Sequence, residues 1–149
     1  MNSSVLWLDD EWTKMPELVQ SFEAQGMNVH CESNLEGGLQ ELKRGSYGIV
    51  LLDMILSTGR RPDVPTAPID QKPFVGLDFV DSVAGMAKER RPAVVVMTIA
   101  DDERLARKLR KWERQGIVYG VILKGSPLSF HEVASSLCGI LQNRQNTSV

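Results

Sequence analysis

The stretch Val5-Leu6-Trp7-Leu8-Asp9-Asp10-Glu11 (VLWLDDE, 5–11) runs apolar for four residues and then stops on three acids. A continuous apolar run of this length reads as a strand covered on both faces, because a half-exposed strand would alternate. One carboxylate at its end would serve to cap a following helix, but adjacent carboxylates repel each other and call for positive charge nearby.

Four further apolar runs follow: MNVHC (27–31), YGIVLL (47–52), AVVVMT (93–98) and YGVIL (119–123). MNVHC is the weakest and reads as an edge strand, while the others are near-continuous and rich in β-branched residues. Helical periods separate the runs. Met15, Leu18, Val19 and Phe22 make one apolar face, Leu35, Leu39 and Leu42 a second, and Leu77, Val80 and Val83 a third. Leu105, Leu109 and Trp112 make a fourth, and Phe130, Val133, Leu137, Ile140 and Leu141 the last. Breakers stand where helices should end, at Gly26, Gly45, Pro92 and Gly116. The pattern is (βα) repeated five times, which predicts an α/β fold with a doubly wound parallel five-stranded sheet and helices on both faces.

Residues 57–75, STGRRPDVPTAPIDQKPFV, carry four of the seven prolines and no usable periodicity. Connections in such folds usually take about 2–6 residues, so this segment reads as an insertion in the loop after the third strand of a single domain, 1–149. Its prolines lower the entropy cost of ordering, and Arg60 and Arg61 suit a lid or a docking loop as well as a tolerated surface loop. The last residues, QNRQNTSV, are expected to fray.

At 149 residues the chain is long enough to bury a proper core. With 17 basic and 19 acidic residues its net charge is −2, which gives no field favouring nucleic acid or acidic lipid. No apolar run approaches the roughly 20 residues of a membrane span, and MNSSVLWLDDEW lacks the basic-then-apolar order of a signal peptide. A cytoplasmic protein is expected. Cys31 and Cys138 are too few for a disulfide framework or a metal cluster and read as reduced core cysteines.

The polar residues fall at strand ends. The first strand ends on Asp9 and Asp10, the third on Asp53, the fourth on Thr98 and the fifth on Lys124. In an open α/β sheet all carboxyl ends of parallel strands lie on one edge, where ligands bind at the reversal of winding. Under a 2-1-3-4-5 order, Asp9, Asp10 and Asp53 converge there, with Thr98 and Lys124 on the opposite wall. Unit charges about 4 Å apart at an effective dielectric near 20 repel by about 4 kcal/mol, so three carboxylates facing one ammonium need a divalent cation. Hard oxygen donors with room for water suit Mg²⁺. Metal, hydroxyl and ammonium then make a receptor for a tetrahedral anion, with Asp53 placed to attack phosphorus.

Asp9-Asp10, Asp53, Thr98 and Lys124, in this chain order and each at a strand end, resemble the response-regulator receiver domains of two-component signalling. The likeness covers nearly all of the chain apart from the insertion. It implies the 2-1-3-4-5 strand order and a flavodoxin-like three-layer sandwich, as in chemotaxis-type single-domain receivers. It implies that Asp53 accepts a phosphoryl group from a histidine kinase or phosphotransfer protein. Asp10 would ligate Mg²⁺ directly, Asp9 through water, and the main-chain carbonyl of Ile55 would complete the protein ligands. Thr98 and Lys124 would bind phosphoryl oxygens. Such a protein is a signalling phosphoacceptor rather than an enzyme, catalysing only its own phosphoryl transfer and dephosphorylation. As a stand-alone receiver it would signal to a downstream protein through the face of the fourth helix, fifth strand and fifth helix or through the 57–75 loop, with a homodimer left open.

Several positions depart from the family. Ile99 follows Thr98 where receivers carry a small residue, and would crowd a phosphoryl group. Gly125 replaces the usual proline after Lys124, so a cis bond is not expected there. Val121 stands where many receivers have a switching aromatic, leaving Tyr119 as its nearest substitute. Gly76 matches the glycine that opens the third helix but lies 23 residues beyond Asp53, a gap widened by the insertion.

Blander readings compete with these. Asp9 and Asp10 would cap the first helix, Thr98 would cap the fourth, and Lys124 would be a solvated strand end. The basic fourth helix, DDERLARKLRKWERQ, has its acids first and most bases later, as the helix dipole favours, and reads as a solvated face. His30 and His131 have no second histidine or cysteine at ligand spacing and receive no chemistry. The alternative functions are a degenerate receiver that binds partners without phosphorylation, and a haloacid-dehalogenase-like phosphatase. The phosphatase needs an acidic pair after the lysine, where this chain has only Glu132.

Overall fold

Each apolar run forms a strand: β1 (Ser4–Leu8), β2 (Asn28–Glu32), β3 (Ile49–Leu52), β4 (Ala93–Thr98) and β5 (Val118–Leu123). The helices between and after them are α1 (Pro16–Ala24), α2 (Leu35–Arg44), α3 (Gly76–Ala84), α4 (Glu103–Arg114) and α5 (Phe130–Thr147). The structure, a computed structural model, describes residues 3–57, 74–99 and 102–147, without the side chains of 145–147. The strands pair in parallel in the order β2-β1-β3-β4-β5, as expected. The insertion, except for residues 57, 74 and 75, lies outside the described residues, and Arg60 and Arg61 with it.

Side chains alternate across a strand, and here the alternation divides one sheet between two cores. Leu6, Leu8, Val50, Leu52, Val94 and Val96 face α2, α3 and α4, whose Leu39, Phe79, Val83, Leu105 and Trp112 cover them. Val5, Trp7, Ile49, Leu51, Val95 and Met97 face α1 and α5, under Leu18, Phe22, Val133 and Leu137. That is why these strands are apolar throughout. β2, at an edge, is only partly buried along its length.

One feature of the sheet differs from the sequence reading. The β4–β5 register shifts between Val94 and Val95, whose partners are Val118 and Gly120, so Tyr119 is an extra residue in β5. Such a bulge changes which face the neighbouring side chains take. Of the tail expected to fray, residues 142–147 continue α5, and 148–149 lie outside the described residues. Arg144 explains this: its guanidinium donates to the carbonyls of Gly48 and Arg91, both at 2.8 Å, and so ties the helix to the amino-terminal edge of the sheet.

At the carboxyl edge, Gly76 opens α3 directly against the end of β3. Its N–H donates to the Met54 carbonyl at 2.9 Å. A Cβ on residue 76 would fall 2.6 Å from the Asp53 carbonyl oxygen and 2.7 Å from Met54 Cα, so the close approach needs glycine. The other end of the insertion is tied as well, since Leu35 N–H donates to the Ser57 carbonyl at 2.9 Å. Among the described residues no helix is long and apolar enough to cross a membrane.

Candidate functional site

Leu8 and Leu52 stand opposite each other in the β1–β3 pairing, which sets the next residues, Asp9 and Asp53, side by side beyond the strand ends. The main chain holds them there. Asp53 N–H donates to the Leu8 carbonyl at 2.9 Å, and Asp9 N–H to the Glu32 carbonyl at 3.0 Å. Across the sheet, Thr98 pairs with Leu123, and Lys124 N–H donates to the Thr98 carbonyl at 2.9 Å. Lys124 then reaches back over the edge. Its Nζ lies 2.8 Å from Asp9 Oδ2 and 2.8 Å from Asp53 Oδ2.

Asp9, Asp53 and Thr98 are buried, and Asp10 is exposed. One carboxylate oxygen each from Asp9, Asp10 and Asp53 lies within 4.8 Å of the others. Two main-chain groups orient the buried acids: Glu11 N–H donates to Asp9 Oδ1 at 2.9 Å, and Ile55 N–H to Asp53 Oδ1 at 3.1 Å. Asp9 Oδ2 has the Lys124 charge beside it but no aligned hydrogen bond. Burial raises the Asp9 pKa above 3.8, against the pull of Lys124 and the Glu11 N–H, and the Asp53 charge adds to the rise. Burial alone would lower Lys124, but its pairing with Asp53 and Asp9 outweighs that and holds it above 10.5. The ammonium therefore keeps its proton.

The donors fit a hard divalent cation. Three carboxylate oxygens converge, the buried Asp9 Oδ2 is unsaturated, and one ammonium does not neutralise the group. All-oxygen sites with an exposed member, open to water, suit Mg²⁺. Asp9, Asp10, Asp53 and Lys124 are thus brought together, with Thr98 buried at the neighbouring strand end. Ile55 approaches through its N–H.

The blander readings of Asp9, Asp10, Thr98 and Lys124 find no counterpart. Helix α1 is preceded by a short 3₁₀ turn (Trp12–Lys14) and begins at Met15-Pro16, with no side-chain cap from Asp9 or Asp10. Helix α4 is capped by Asp102, which accepts from the N–H groups of Arg104 and Leu105, so Thr98 is not its cap. The Lys124 side chain is only 13% exposed, so it is no solvated strand end. Helix α4 does carry the expected solvated pair, Glu103 with Arg107, at 3.7 Å. The orienting N–H groups of Glu11 and Ile55 escape sequence reading, because a backbone donor carries no residue-type signal.

The departures also have places. Ile99 is 67% exposed beside Thr98. No cis peptide occurs among the described residues, and Gly125 takes φ +82°. Val121 and Leu123 line a groove with Thr98, Leu105 and Leu109, whereas the bulged Tyr119 lies under Arg144, whose guanidinium carbon is 5.5 Å from the ring centre.

No profile of a known protein family matches the sequence, and no curated protein does. Solved structures do. A CheY-like response-regulator receiver domain from Methanospirillum hungatei JF-1 is 15% identical, with a TM-score of 0.71 over 99% of this chain and 99% of that one. A two-component response regulator from Clostridium difficile is 17% identical, with a TM-score of 0.67 over 96% and 98%. A member of a streptococcal family of redox sensors evolved from two-component response regulators is 15% identical, with a TM-score of 0.69 over 97% of this chain and 53% of that one. Over nearly its whole length, the chain has the fold of response-regulator receiver domains.

Proposed function

We infer that the chain is a response-regulator receiver that takes a phosphoryl group onto Asp53 from a histidine kinase or phosphotransfer protein. The observation that carries this reading is Lys124 Nζ at 2.8 Å from both Asp9 Oδ2 and Asp53 Oδ2, with Asp10 in the same carboxylate cluster. An Asp53 carboxylate oxygen attacks phosphorus while the bond to the donor nitrogen breaks, giving an acyl phosphate. The Ile55 N–H fixes the carboxylate by its other oxygen, so one oxygen is aimed and one is held. Asp10, Asp53 and the Ile55 carbonyl would hold Mg²⁺, with Asp9 acting through water, and the ion would supply the charge neutralisation that lets a phosphoryl anion approach these acids. Lys124 and the Thr98 hydroxyl take phosphoryl oxygens, which draws Lys124 off the acids and changes the β4–β5 edge.

That change is read at the surface beside it. Tyr119, Val121 and Leu123 leave β5 with exposed apolar side chains next to α4 and α5, a face for a downstream protein or a second copy. A second reading, a degenerate receiver that binds partners without phosphorylation, is favoured by Ile99 at the pocket rim. Mass spectrometry after incubation with Mg²⁺ and acetyl phosphate separates them. The receiver gains one phosphoryl group, and Asp53→Asn abolishes it. A degenerate receiver gains none, and steady release of phosphate from an external ester would indicate a phosphatase instead.

A further inference from the structure

We propose that His30, Glu32 and Glu41 form a second metal site, for a borderline divalent cation of the Zn²⁺ class, between β2 and α2. Residues two apart on a strand share a face, so His30 and Glu32 project together from β2. The intervening Cys31 and Val29 pack toward α1 and α5. Helix α2 is held over this side by Leu35, Leu39 and Leu42 and brings Glu41 down beside the pair. His30 Nε2 lies 2.8 Å from Glu32 Oε1 and 3.8 Å from Glu41 Oε1. One donor atom from each of the three falls within 4.8 Å of the others.

These distances suit tetrahedral coordination. With metal–ligand bonds of about 2.0–2.2 Å, neighbouring donors stand roughly 3.3 Å apart. The two measured edges bracket that value, and a movement of about half an ångström in each satisfies it. The surroundings hold the donors in place. Tyr47 O–H donates to Glu41 Oε1 at 2.5 Å, as an outer partner orients a metal-ligating carboxylate. Gly37 leaves room for the Glu32 carboxylate, since a Cβ there would come within 2.5 Å of Glu32 Oε2. Arg44 Nη1 is 3.8 Å from Glu41 Oε2 and leaves Oε1 facing the imidazole. His30 is half exposed, which keeps a fourth position for water.

The donor set decides the ion. One imidazole nitrogen with two carboxylates suits Zn²⁺ or Co²⁺, whereas Mg²⁺ takes oxygen donors and near-octahedral geometry. This site is therefore chemically distinct from the all-carboxylate cluster of Asp9, Asp10 and Asp53. When filled, it cross-links the edge strand to the helix that covers it.

The test is equilibrium dialysis of the full chain against Co²⁺ in excess Mg²⁺, read by stoichiometry and by the visible spectrum. One equivalent with the intense bands of four-coordinate cobalt is expected, retained in Asp53→Asn. Tyr47→Phe should weaken binding by about tenfold, and His30→Gln and Glu41→Gln by more than the ~100-fold that marks the upper end of outer-partner losses. Zn²⁺ should raise the thermal midpoint of the unsubstituted protein and leave that of His30→Gln unmoved, while both melt alike without metal. Failure to hold Co²⁺ under these conditions overturns the proposal. So does binding that survives His30→Gln or disappears in Asp53→Asn, since the ion would then sit on the aspartate cluster.

Discussion

Replacing Lys124 by methionine keeps the length of the side chain and removes the charge that faces the aspartates. At an effective dielectric near 20, an ion pair at 2.8 Å is worth about 6 kcal/mol of attraction, and two carboxylate oxygens within 4.8 Å of each other repel by at least about 3.5 kcal/mol. Lys124 makes two such attractions, and the aspartates have three mutual repulsions, softened where Asp10 meets water. The unsubstituted site is thus close to balance, and the variant keeps only the repulsion. Protonation of Asp9 and entry of water blunt the loss. The expected cost is about 3–5 kcal/mol, as for removing one partner of a buried pair. For a domain of this size, that lowers the thermal midpoint by roughly 6–20 °C. Mg²⁺ should then raise the midpoint of Lys124→Met by more than that of the unsubstituted protein, because the cation no longer competes with an ammonium. Thermal unfolding followed by circular dichroism, with and without Mg²⁺, gives all four midpoints. A variant that melts no lower without Mg²⁺ would show that the acids are not gathered around this lysine. A Mg²⁺ response no larger than that of the parent would show that they do not form a cation site.

The pH dependence has two signs. Lys124 has a folded pKa above 10.5, where burial lowers it but pairing with Asp53 and Asp9 outweighs that. Its contribution is complete below pH 10.5 and disappears as pH rises through the folded value, so the urea midpoint should fall there more steeply than in Lys124→Met. Asp9 is raised above 3.8 by burial, so its contribution is complete below that pH and is lost as pH rises through its folded value. Asp9→Asn should therefore gain on its parent between pH 3.8 and neutrality in metal-free buffer, and a constant difference would refute the assignment. Gly76→Ala places a methyl group against main-chain atoms of Asp53 and Met54 and should cost about 1–3 kcal/mol, read as a lower urea midpoint at unchanged slope. Ile99→Ala should speed the gain or loss of phosphate at Asp53 while stability stays within about 0.5 kcal/mol, because the side chain is mostly exposed. Equal rates in both directions would remove Ile99 from the rim.

The strands were legible because burial on both faces leaves a continuous apolar run and a parallel sheet sends every carboxyl end to one edge, while their order came from the family resemblance. The aspartates and the lysine followed from that geometry together with the family resemblance. What was hidden depended on register and on contacts distant in sequence. The bulge at Tyr119 moves that ring to the α5 side, and its one local signal was Gly120, since an isolated glycine in a strand often marks such an irregularity. The tail read as frayed because it is polar, yet Arg144 finds two main-chain carbonyls that no local pattern announces. In the proposed second site, His30 is joined by carboxylates rather than by histidine or cysteine. Glu32, two residues along the same strand, was the available signal.

The aspartate cluster also bears on why a cation belongs there at all. Asp9 and Asp10 had an alternative use as caps of α1, but Met15 and Pro16 open that helix without them. Asp9 keeps one main-chain bond, from the Glu11 N–H to Oδ1, but it is fully buried, its Oδ2 lacks an aligned donor, and burying such a carboxylate costs stability. Lys124 offsets that cost while being shared with Asp53, and its single charge does not neutralise both acids. A site in this condition gains free energy from whatever brings further positive charge. The same shortage that weakens the metal-free fold therefore gives the edge of the sheet its affinity for a cation, and the difference between Mg²⁺-bound and Mg²⁺-free stability measures that affinity directly.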